Sequence, residues 1–230
     1  MTTTPSGRPL RLFVAGQGVN ALGTMVSSVA LPLVALDRLH ASTFVVGALE
    51  ALQWLPAVLV GLPAGALLDR HQSRAPAVMM AANLGQAAAV ASVPAAAAAG
   101  VLGVPVLLGA AVVAGLFTVW FQAGYSPYLR ALVEGDDYLR ANARTGGVRS
   151  AAMLGGPTLA GALVEAVGSA TTILTDAASF LVSFVSLALL GKPRQLVASE
   201  AGGSLVAQVK QGLTVCPSAR APHGRRRVSR

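Results

Sequence analysis

The sequence contains one cysteine and three histidines in 230 residues. A single cysteine, Cys216, excludes an intramolecular disulfide framework and a cysteine-rich metal site. His40, His71 and His223 are far apart in the chain, so a histidine metal site is not expected. The sequence also lacks a glycine-rich phosphate loop and the serine, histidine and aspartate pattern of a hydrolase. We therefore expect no enzymatic activity, no metal and no cofactor.

Charged residues are scarce as well, at 11% of the chain, against about 25% in a typical soluble domain. Hydrophobic residues make up 54% of the sequence, and the mean hydropathy is +0.64. A core of this size cannot hide so much apolar surface, so lipid must be the solvent for much of it. The net charge of +8 does not indicate nucleic-acid binding, because the basic residues form no face with interleaved aromatic residues.

Six apolar runs follow one another along the chain, and a helix of roughly 20 apolar residues spans a bilayer. The first run is too long for a signal peptide, whose apolar core has about 7–15 residues. The sequence therefore predicts an all-α integral membrane bundle of six transmembrane helices. The six predicted helices cover about residues 10–36, 43–68, 76–99, 104–125, 150–167 and 171–190.

These runs divide the chain into a polar tail (1–9), a transmembrane domain (10–190) and a basic tail (191–230). The only long polar connection is predicted at about 126–149, between the fourth and fifth helices.

The positive-inside rule sets the orientation, since lysine and arginine accumulate in cytoplasmic loops. If the N-terminus is cytoplasmic, the outer loops contain Arg38 alone. The inner segments then hold Arg8, Arg11, Arg70, Arg74, Arg130, Arg140, Arg144, Arg149, Lys192 and Arg194. We therefore expect a multi-pass protein of the plasma (inner) membrane with both termini cytoplasmic.

Residues 65–74 form a short, charged segment between the second and third apolar runs, where we expect a tight hairpin loop. Gly65, Asp69, Arg70 and Arg74 resemble the signature loop between helices 2 and 3 of the major facilitator superfamily of transporters. The resemblance implies that Asp69 contacts the other half of a transporter and helps to hold its outward-open state. The alternative is that Asp69 is an ordinary solvated carboxylate beside the arginines that set the orientation of the protein in the membrane.

This loop departs from the family pattern at two positions. Gln72 replaces the usual glycine, and Ser73 replaces a usual basic residue. A stiffer turn and a weaker charge cluster are the expected consequences.

A second motif lies in the predicted fifth helix. Gly156, Pro157 and Gly161 resemble the Gly-Pro-x-x-Gly-Gly motif of antiporter branches, with Ala160 in place of one glycine. Generic small-residue packing is the alternative. Together with the strings at 125–129 and 176–180, the motif resembles the drug- and siderophore-export branch that includes enterobactin and macrolide exporters.

Polar residues inside the membrane are costly and therefore candidate functional groups. Glu50 and Asp176 are candidates for carrying a proton, although Asp176 could instead be an ordinary helix-start residue. Gln17, Asn20 and Gln122 could line a substrate cavity, or could serve for hydrogen bonding between helices. The helix 4 arginine motif of many proton-coupled exporters is absent, which leaves proton coupling open.

A complete member of the superfamily has two six-helix halves, each built from three-helix inverted repeats, and this chain resembles the N-terminal half. Residues 209–213 resemble the start of the linker between halves, and the sequence from Cys216 resembles no helix of the family. The hypotheses are an aberrant, truncated end or a natural basic tail that binds anionic lipid headgroups.

Two hypotheses for function follow. The first is an exporter of drug-like or siderophore-like small molecules that works by alternating access, inactive alone if the chain is truncated. The second is a non-transporting membrane protein that acts by association with itself or with a second transporter half.

Overall fold

The computed structural model describes residues 7–133, 137–193 and 196. The predicted all-α bundle is confirmed, since the described residues form six long helices and no strand. Each helix is long and apolar enough to cross a membrane. The helices are α1 (Gly7–Asp37), α2 (Thr43–Arg70), α3 (Ala75–Ala98), α4 (Val104–Leu132), α5 (Asp137–Val167) and α6 (Ser169–Leu190).

The bundle has two ends, each with its own apolar cluster. We call the end at which α1 begins the Arg11 side, and the end with the α1–α2 connection the Asp37 side. The Arg11-side layer is a buried cluster that includes Phe13, Met79, Tyr128 and Leu187. The Asp37-side layer is a second buried cluster, which includes Leu31, Val34, Leu49, Leu107 and Ile173. Between them lies a polar layer, described below.

The pattern of helix contacts has an internal symmetry. Helix α1 packs against α5 and α6, α4 packs against α2 and α3, and α3 packs against α6 at the centre. Exchanging α1–α3 with α4–α6 maps this pattern onto itself. An odd number of spanning helices per repeat inverts the second repeat relative to the first. The packing therefore has the symmetry of the three-helix repeats that the resemblance implied.

The predicted long polar connection at 126–149 is wrong. Helix α4 continues to Leu132 and α5 already begins at Asp137, so most of this segment is helical. The reason is that the segment keeps apolar positions at helical spacing: Tyr128, Leu129 and Ala141 are fully buried in the Arg11-side layer. Charged residues on the other faces do not interrupt a helix that extends beyond the hydrocarbon. Residues 134–136 lie outside the described part of the chain.

The hairpin predicted at 65–74 is shorter than expected. Helix α2 continues through Asp69 and ends at Arg70, and a short 3-10 helix at Gln72–Arg74 leads directly into α3. His71 ends α2 and places its Nδ1 atom 3.1 Å from the carbonyl oxygen of Leu67. Only about one turn of chain therefore separates the two helices.

The bundle includes a few more residues near both ends of the described chain than the sequence predicted. Helix α1 begins at Gly7, three residues before its predicted start. Leu196 is buried in the Arg11-side layer. The remaining predictions for the two tails, including those on residues 209–213 and Cys216, lie outside the described residues.

Candidate functional site

A polar layer crosses the bundle between the two apolar layers. At its centre is Ser183 of α6, which is fully buried. Asn83 of α3 donates a hydrogen bond from Nδ2 to the Ser183 Oγ atom at 3.1 Å, and Gln17 of α1 donates from Nε2 to the same oxygen at 3.3 Å. Three helices are therefore joined through one hydroxyl.

A second hydrogen bond extends the polar layer to α4. Gln86 is one turn from Asn83 on α3, and its Nε2 atom donates to Thr118 Oγ1 of α4 at 2.7 Å. Thr118 in turn donates to the carbonyl oxygen of Ala114 at 2.9 Å. The polar layer thus runs from α1 through α6 and α3 to α4, the helices at the centre of the packing pattern.

Helix α1 approaches α6 closely enough to place polar groups in contact. A Cβ atom at Gly16 would overlap the side chain of Ser186, and one at Gly23 would overlap that of Ser179. The missing side chains therefore allow the two backbones to approach, as small residues do between membrane helices.

Asp176 lies at this α1–α6 contact. It is the eighth residue of α6, about 10 Å from the start of the helix at 1.5 Å per residue, and its side chain is only 2% exposed. It is therefore not a helix-start residue, and the structure contradicts that alternative. Ser179 Oγ donates to the Asp176 Oδ1 atom at 3.2 Å, and Thr24 and Ser27 of α1 bring their hydroxyls beside the same carboxyl.

Among the described residues, no basic side chain accompanies this carboxyl. In the part of the chain that the structure describes, the only ion pair joins Arg140 to Asp137 at 3.5 Å on the surface of α5. A carboxyl group buried in an apolar bundle must be protonated, paired or ligated, because isolated charge is costly there. Asp176 is thus surrounded by hydroxyl donors but by no countercharge among the described residues.

Several buried polar atoms of this region have no hydrogen-bond partner among the described residues. They are Asn20 Oδ1, Asn83 Oδ1 and Gln86 Oε1. Buried polar groups are nearly always satisfied in proteins, by other groups, water or ligand. The polar layer therefore has spare capacity to accept hydrogen bonds from a solute or from water.

Two of the predicted polar candidates do not join the polar layer. Glu50 is exposed on α2, and Gln122 is exposed on α4. Gln17 does join it, through its hydrogen bond to Ser183 of α6. Hydrogen bonding between helices was the alternative to the prediction that Gln17 lines a cavity. Phe121, the neighbour of Gln122 in the chain, packs in the Arg11-side layer.

Sequence reasoning missed Asn83, Gln86 and Ser183. A usable signal was present, since two amides one turn apart interrupt an apolar run at 83 and 86. Ser179, Ser183 and Ser186 likewise share one face of a helix, at spacings of four and three residues. Within α3 and α6, only Asp176 was a candidate, because it is the one ionisable residue of these two helices.

The loop motif lies at the Arg11 side. Asp69 and Arg70 are exposed in the last turn of α2, Arg74 is exposed where α3 begins, and nothing lies within 4 Å of a Cβ atom built on Gly65. None of the three charged groups forms an ion pair within the described residues. The motif therefore presents its charges to the outside of the six-helix unit.

The residues of the α5 motif lie in two different environments. A Cβ atom on Gly156 would overlap Met25 of α1, so this glycine serves helix packing. Gly161 has open space around it, and Pro157 is exposed. Only part of the motif is thus explained by packing inside the six-helix unit.

Comparison with known proteins agrees with this geometry. A family model described as Major Facilitator Superfamily matches residues 13–221, which is most of the chain. A search of curated proteins gives no match. The six membrane-spanning helices, the repeat symmetry of their packing and this match lead to one conclusion: the chain belongs to the major facilitator superfamily and is a multi-pass membrane transporter of small solutes.

Proposed function

We propose that this transporter exports drug-like or siderophore-like compounds by alternating access, and that Asp176 carries the proton that drives export. The observation that carries the proposal is the buried Asp176 carboxyl, surrounded by hydroxyls and adjoining a polar layer with unpaired acceptors. A polar solute needs such groups to replace its hydration shell within the membrane. The direction of transport is supported by the sequence strings at 125–129, 155–161 and 176–180.

The proposal includes a partner for this six-helix unit, either a second half or a second copy of the chain. Helix α2 buries few side chains, whereas Phe44, Val58 and Leu62 are more than three-quarters exposed. Gly61 and Gly65 stand four residues apart with open space beyond each Cβ position. This small-xxx-small spacing permits close helix approach in membranes. Association without transport remains the second candidate function, and the same surface supports it.

An accumulation assay tests the exporter proposal. Cells that lack their own exporters would produce this chain, and the retention of fluorescent drug-like dyes and of a labelled catecholate siderophore would be measured. We expect at least one compound to accumulate several-fold less than in cells with an empty vector, and collapse of the proton gradient should abolish the difference. Unchanged accumulation together with recovery of a stable homodimer would support association without transport.

We also propose that the Arg11 side is cytoplasmic, on the basis of the ten basic residues predicted there against Arg38 on the other side. Thiol labelling in intact cells tests this, in a background that carries Cys216→Ser. We expect a membrane-impermeant maleimide to label Arg38→Cys but not Arg74→Cys, since both positions are exposed and differ only in side. The reverse pattern would invert the topology.

A further inference from the structure

A groove between α1 and α5 has a composition that neither transport nor helix packing explains. Its volume is about 490 Å³, and its walls are almost entirely apolar. Val14, Val19 and Leu22 of α1 form one side, and Val148 and Ala151 of α5 form the other. The groove does not include the polar layer or Asp176.

Two arginines line the same groove near its end at the Arg11 side. Arg11 lies in the second turn of α1, Arg144 lies in the eighth position of α5, and both are exposed. Neither forms an ion pair within the described residues, and no carboxylate lines the groove. The groove therefore joins two unpaired cations to an apolar channel.

The length of the groove matches one leaflet of a bilayer. Arg11 and Leu22 are eleven residues apart on α1, which gives about 16 Å at 1.5 Å per residue. The hydrocarbon core of a bilayer is about 30 Å thick, so one leaflet measures about 15 Å. A groove that begins at headgroup level thus ends near the bilayer midplane.

We infer that this groove binds one anionic phospholipid from the leaflet on the Arg11 side, with its phosphate between Arg11 and Arg144 and one acyl chain along the apolar walls. Arginine suits this role because its planar guanidinium binds phosphate with two parallel hydrogen bonds. A second protein helix fits less well, since it would bring an apolar surface against two unpaired cations. The inference does not depend on the direction of transport.

Native mass spectrometry of the purified full chain tests the inference, with phosphatidylglycerol as the probe and phosphatidylcholine as the neutral comparison. We expect one phosphatidylglycerol to remain bound to the wild type, and phosphatidylcholine to bind more weakly. Each basic residue near an anionic headgroup is worth about fivefold in affinity, so R11Q/R144Q should weaken binding about 25-fold. The matched control R38Q/R149Q removes the same charge from exposed positions outside the groove and should change affinity less than twofold.

A second variant keeps the fold and charge but fills the groove. Ala151 is exposed, so Ala151→Phe should fold normally while its ring occupies the path of the acyl chain. We expect it to weaken phosphatidylglycerol binding about tenfold or more, with both arginines present. Glycerol 3-phosphate, which has the anion but no chain, should not compete.

Four results would overturn the inference. These are equal binding of the two lipids, equal losses in the groove and control variants, full binding by Ala151→Phe, or competition by glycerol 3-phosphate. The last result would identify a site for small anions instead of a lipid groove.

Discussion

Replacement of Gly115 by valine is expected to release α2 from the bundle. A Cβ atom at Gly115 would overlap the backbone carbonyl oxygen of Gln53 and lie 3.1 Å from its carbonyl carbon. No side-chain rotation can relieve contact with backbone, so α2 and α4 must separate. Helix α2 depends on this contact, because α4 is its principal neighbour in the described structure. Overpacking of this kind costs about 1–3 kcal/mol.

Thermal unfolding in detergent provides the measurement. For a chain of this size, about 2 kcal/mol corresponds to a fall in Tm of about 4–8 °C. Gly109→Val is the matched control, since Gly109 lies six residues earlier on the same helix with nothing within 4 Å of its Cβ position. The control should remain within about 2 °C of the wild type. Equal destabilisation of both variants would show that the α2–α4 contact is not the cause.

If Asp176 carries the proton that drives export, as proposed, its replacement by asparagine abolishes uphill export while leaving the protein folded. Asparagine has nearly the same shape, and its amide oxygen can still accept the hydrogen bond from Ser179. It cannot exchange a proton with the solvent on either side. We expect proton-driven export to fall at least about 100-fold, the scale on which loss of a proton-transfer group acts in enzymes.

Two comparisons make the Asp176 result specific. Substrate exchange without a gradient needs no net proton movement, so the Asp176→Asn variant should retain it. Glu50→Gln removes an intramembrane carboxyl that is exposed on α2 and outside the polar layer, and it should export at the wild-type rate. Loss of export in Glu50→Gln with normal export in Asp176→Asn would transfer the proton-carrying role to Glu50.

The number of helices and their approximate limits could be predicted from the sequence, because long apolar runs and short polar turns report directly on membrane crossing. The helical character of residues 126–149 could not, since charge on one face hid the buried positions of Tyr128 and Ala141. Hydropathy identifies segments that lie in lipid, and it does not identify a helix that continues into water, as we infer for this segment.

The candidate site was only partly predictable. Asp176 stood out because an intramembrane carboxyl is rare, but its hydroxyl partners on α1 lie some 150 residues away in the chain. The meeting of Gln17 and Asn83 at Ser183 depends on how three helices pack. Packing of membrane helices depends on close contact between small residues, and the pattern of a single sequence does not specify which faces meet.

The two apolar layers have a consequence for ion leakage. Each closes one end of the bundle with fully buried side chains, among them Phe13 and Tyr128 at one end and Leu49 and Leu107 at the other. Transfer of a bare ion through such a layer is prohibitively costly. Along its own axis the six-helix unit is therefore an electrical insulator on both sides of its polar layer. Ions and solutes can reach that layer only from the side of the unit, so the unit is expected to show no passive conductance.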